Sequence, residues 1–68
     1  MSESAADKFS AMAAGLAASG LPLRQIARES ELSTATVFRA IHGESRMPSF
    51  ESYTRLERVW IARGRPGQ

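Results

Sequence analysis

Serine or proline where helices can start, and glycine where they must stop, cut this chain into four short segments, and that punctuation limits the fold more than any other feature. Ser4 can cap a first helix, with Asp7 three residues on as an acidic variant of the capping box, and Gly20 closes it. Pro22 suits the first turn of a second helix that passes through Leu23, Ile26 and Ala27 to about Ser30. Ser33 offers an N-cap for a third, ended by Gly43, and Ser49 one for a fourth, stopped near Arg63 by Gly64 and Pro66. Apolar residues recur at spacings of three and four within these segments. The inward stripes are Phe9, Met12, Ala13 and Leu16; then Val37, Ala40 and Ile41; then Phe50, Tyr53, Leu56, Val59 and Trp60. The expected fold is therefore all-α: a compact four-helix domain over residues 1–63 and a flexible tail over 64–68, Gly-Arg-Pro-Gly-Gln.

With 68 residues and no cysteine, neither a disulfide framework nor a thiolate zinc site can support so small a core, and the lone His42 builds no metal site. Stability must come from packing, and oligomerisation would help. Ala11, Ala14, Gly15 and Ala18 leave one side of the first helix smooth, either to pack against another helix or simply because alanine favours helix. No basic start with an apolar run opens the chain, and no apolar stretch reaches the roughly 18 residues of a membrane span. A cytoplasmic protein without a membrane partner is expected.

Net charge is only +2, but it is unevenly spread. Through Val37 three cations face four carboxylates, whereas from Phe38 onward six arginines face three glutamates. Eight of the nine cations are arginine, whose planar fork matches phosphate and guanine edges better than a lysine point charge.

The stretch Leu23 to His42 combines a small residue, Ala27, a tight turn, Ser33 as cap, and Val37 five residues beyond Leu32. Ala27 lets two helices cross closely, Leu32 and Val37 fill the wedge between them, and Ile26 and Ile41 tie the pair to the rest. Such a helix pair projects the N-terminal end of its second member.

Ile26-Ala27, Leu32-Ser33, Thr36-Val37, Arg39-Ala40-Ile41-His42-Gly43 and Pro48-Ser49-Phe50-Glu51 stand in an order and spacing that resembles phage repressors of the Cro and cI type, and also the headpiece of LacI-type repressors. The resemblance spans roughly Leu21 to Val59 and implies a lambda-repressor-like domain with a central helix-turn-helix. It also implies a regulator, a repressor of a phage or mobile element, that binds a palindromic operator in double-stranded DNA as a homodimer through the major groove. The positions matching the family's base readers are Thr34, Ala35, Phe38 and Arg39. Two positions depart from the pattern: Glu31 stands where the turn commonly has glycine, and Ser30 where an apolar residue is common.

The chemistry of each reader suits that role. Arg39 can fork onto guanine O6 and N7, Thr34 can bond a base edge or phosphate, and Ala35 and Phe38 can touch thymine methyls. The other readings are a core Phe38 and an Arg39 that is solvated or paired with Glu44. Phosphate contacts are expected from Arg46 in the loop after the third helix, and from Arg24, Gln25 and Ser33. Val59 and Trp60 on the fourth helix are the candidate dimer surface. No phosphate-cradling glycine loop, nucleophile elbow or paired histidine with carboxylates is present, so no enzyme, cofactor or small-molecule ligand is expected. The rival reading is a protein-interaction module, an antitoxin-like or anti-activator subunit on the same scaffold.

Overall fold

The computed structural model describes residues 4–68, so the first three residues of the expected domain lie outside it. Four helices follow one another: α1 (Ala5–Ala18), α2 (Leu23–Ser30), α3 (Thr34–Ile41) and α4 (Phe50–Ala62), with no strand among the described residues. No helix is long and apolar enough to cross a membrane. The serine caps act as the sequence predicts. Ser4, Ser33 and Ser49 each accept a bond from the backbone N–H three residues on, at 3.1, 3.1 and 3.0 Å. Pro22 takes the capping position of α2, one residue before the helix proper, and supplies no side-chain bond.

All four helices stop by one device, a left-handed residue whose N–H bonds the carbonyl three back while the next N–H bonds the carbonyl five back. Gly20, Gly43 and Gly64 fill that position after α1, α3 and α4, and Glu31 fills it after α2. Glycine meets no Cβ penalty there, but Glu31, at φ 59°, carries a cost on the order of 1 kcal/mol. α4 offsets it: the Arg55 guanidinium donates to the Glu31 carbonyl at 3.3 Å and lies 4.0 Å from its carboxylate. The turn keeps its ordinary shape.

Phe9, Met12, Leu16, Ile26, Val37 and Leu56 are fully buried, with Ala13, Ala27 and Ala40 filling the close approaches between helices. Each large apolar side chain removed from water contributes about 1.5–3 kcal/mol. Leu32 and Ile41 are half-buried against this core, and Tyr53 stacks on Phe9 at 6.3 Å between ring centroids. Ser30, unexpected in a wedge, is buried with its hydroxyl donating to the Ile26 carbonyl at 2.6 Å, so its polar atom is satisfied within its own helix. α1 packs on both α3 and α4, α2 does the same, and α3 stands clear of α4.

Three expectations need correction. Phe50 is 84% exposed: it begins α4, and its position in the helical turn points away from the side carrying Leu56, Val59 and Trp60. Val59 and Trp60, expected at a dimer surface, are 7% and 9% exposed because they close the core over α1. The expected flexible tail instead folds back, so that the Trp60 indole N–H donates to the Pro66 carbonyl at 2.9 Å and Gly67 lies against Gly15 of α1. The smooth side of α1 is thus used in part by the chain's own end.

Candidate nucleic-acid interface

α3 is an eight-residue helix whose Val37 and Ala40 are buried against α1 and α2. The opposite side carries the four expected base readers, Thr34, Ala35, Phe38 and Arg39, all exposed. This follows from helical spacing: with Val37 and Ala40 inward, positions 34, 35, 38 and 39 fall on the outer half-turn. Phe38 is 48% exposed, which excludes the core alternative. Its ring leans on His42 at 4.2 Å between centroids, tilted 47°, so His42 braces Phe38 from the next turn, a contact that the i, i+4 spacing permits but does not single out.

Arg39 is exposed and no ion pair engages it among the described residues, so Glu44 does not hold it. Its five donors remain available for a planar acceptor. Ser33 is occupied differently: its hydroxyl receives the Thr36 N–H at 3.1 Å and bonds the Thr36 hydroxyl at 2.8 Å. That cap leaves the amides of Thr34 and Ala35, which have no partner within the helix, at an end favourable to anions.

The remaining phosphate candidates separate. Arg24 is exposed near the start of α2, beside Arg28 one turn on, and neither has a carboxylate partner among the described residues. Gln25 is committed elsewhere: its amide donates to the Glu29 carboxylate at 2.9 Å. Glu29 is also gripped by Arg63, which reaches across from the end of α4 with Nε at 3.0 Å. The Arg63 guanidinium, and secondarily Gln25, hold the Glu29 carboxyl below the usual carboxylate range, and Arg63 is raised in turn. This cluster joins α2 to α4. Arg46 lies in the loop after α3 and borders a shallow groove with Asp7, Ser10 and Ala11 of α1. Its side chain is exposed and unpaired among the described residues.

The side chains brought together on one helix are thus one planar cation, one hydroxyl, one methyl and one aromatic ring, with further arginines on α2 and in the loop. That set offers bidentate hydrogen bonding flanked by apolar contact, and no group of three or more histidine or carboxylate side chains that could hold a metal ion lies among the described residues. No family model matches this chain, and neither a curated protein nor a solved structure does.

Proposed function

We propose that this chain is a sequence-specific regulator of transcription, a repressor of a phage or mobile element, which lays α3 in the major groove of a palindromic operator as a homodimer. The observation that carries the reading is the outer side of α3: Thr34, Ala35, Phe38 and Arg39 are exposed together on a helix held only from behind. A half-exposed aromatic ring beside an unpaired arginine fits a site that joins thymine methyls to guanine. A single short helix reads only a few base pairs, so useful specificity requires two copies on half-sites about 10 base pairs apart.

Selection of bound duplexes from a random pool tests this directly. A palindrome with that half-site spacing, and binding that falls steeply with salt, are the expected results. Indifference to duplex DNA at low salt would remove the proposal. It would also favour the protein-interaction module, for which a half-exposed Phe38 is an equally suitable anchor.

A further inference from the structure

The outer side of α4 is unlike the rest of the surface. Phe50 is 84% exposed and Ile61 47%, and Met47, just before the helix, is 91% exposed. Positions 50, 54, 57 and 61 follow at alternating spacings of four, three and four, which places Phe50, Thr54, Glu57 and Ile61 along one seam of the helix. Beside the seam, on one flank, Glu51 and Arg58 sit seven residues apart and so share a helical position.

We propose that this seam is the homodimer surface, with the α4 helices of two copies packed antiparallel about a two-fold axis between positions 55 and 56. That register sets Phe50 of each copy against Ile61 of the other and Thr54 against Glu57, while Met47 extends the apolar contact beyond the helix start. The flank decides the direction. Antiparallel packing brings Glu51 beside the other copy's Arg58 twice over. Arg58 has no carboxylate partner within its own chain among the described residues, whereas Glu51 holds Arg55 at 3.2 Å with its carboxylate still exposed. A patch with apolar ends, and with opposite charges that exchange under a two-fold, is complementary to itself. α4 is only about 20 Å long, and Glu57, held by Lys8 at 3.7 Å, interrupts the seam. The contact is therefore small and dissociable. It uses no residue of α3, from which α4 stands clear, so the reading helices stay uncovered.

The inference rests on the dimer proposed above but is tested without DNA, by sedimentation equilibrium of the full chain. Wild type should associate to a dimer below about 1 mM, and Phe50→Glu or Ile61→Lys alone should weaken it about tenfold or more. The double Phe50→Glu, Ile61→Lys variant should recover most of that loss, because each new carboxylate meets a new ammonium of the other copy. Glu51→Arg and Arg58→Glu should behave likewise, each weaker alone and restored when combined. All four positions are on the surface, and an unchanged circular dichroism spectrum checks the fold. A wild-type chain that stays monomeric at about 1 mM overturns the proposal, as does a dimer that the single variants leave intact. DNA binding that persists in either case keeps the functional reading and moves the two-fold elsewhere.

Discussion

Gly15 is the fourth residue from the end of α1, where alanine would ordinarily stabilise the helix by up to about 0.5–1 kcal/mol. A Cβ there would sit 2.1 Å from the Pro66 carbonyl oxygen and 2.9 Å from its carbon, so backbone would have to move. Gly15→Ala should therefore lift the tail off, break the Trp60–Pro66 hydrogen bond and shift the fluorescence of the only tryptophan to the red. The lost bond, about 1 kcal/mol, and the helix gain nearly cancel, so the urea midpoint should hardly change. In a chain ending at Gly64 the same substitution should raise stability by about 0.5–1 kcal/mol, since nothing remains to collide with it. Destabilisation in both backgrounds would mean that Gly15 is needed for another reason. On the proposed DNA-binding surface the two arginines, Arg39 on α3 and Arg46 in the loop after it, should separate by kind. Arg39→Ala should cost about 1–3 kcal/mol at one base position per half-site, measured by competition among operator variants. Arg46→Ala should weaken all sequences alike and flatten the salt slope. Equal loss of sequence preference in both variants would reverse these roles.

Among the elements, α2 differs from its neighbours at both ends. It starts at Pro22 without a side-chain cap and stops on Glu31 in left-handed geometry. Glu31→Gly should stabilise the fold by up to about 1 kcal/mol, because the Arg55 bond to the backbone carbonyl survives while the Cβ strain disappears. A thermal melt that moves downward would show that the exposed carboxylate matters more than the strain. Local chemistry made most of this architecture legible in the sequence. Serine caps, glycine stops and apolar spacing each act within one turn, so α1, α3 and α4 fall within about one residue of their expected limits. The exposed side of α3 was legible for the same reason, since Val37 and Ala40 fix which half-turn faces out. What failed was whatever depended on distant partners. Phe50 keeps a spacing of three to Tyr53, but it begins α4 and faces away from the side that carries Leu56, Val59 and Trp60. Gln25 stands one helical turn from Glu29, a spacing that permits their bond, but nothing near it in the sequence shows that Arg63 will fix Glu29 from α4. Nor could composition show that a Gly-Arg-Pro-Gly-Gln tail would meet Gly15.

Across the whole molecule, the Arg63–Glu29–Gln25 cluster ties α2 to the end of α4. Because the folded state lowers the Glu29 pKa, its contribution to stability is present above the ordinary carboxylate value and fades as pH falls through the lower folded value. Urea melts between about pH 6 and 3 should show this acid limb, and Glu29→Gln should flatten it; an unchanged limb would assign it to other carboxylates. The closure of the tail over α1 constrains how this sequence can vary over time. Position 15 answers to positions 66 and 67, some fifty residues away, and hardly to its own helix. A chain whose tail stays docked must keep glycine at 15, while one whose tail is lost or released is free to replace it. Position 15 and positions 66 and 67 are therefore coupled, so that what either tolerates depends on what stands at the other.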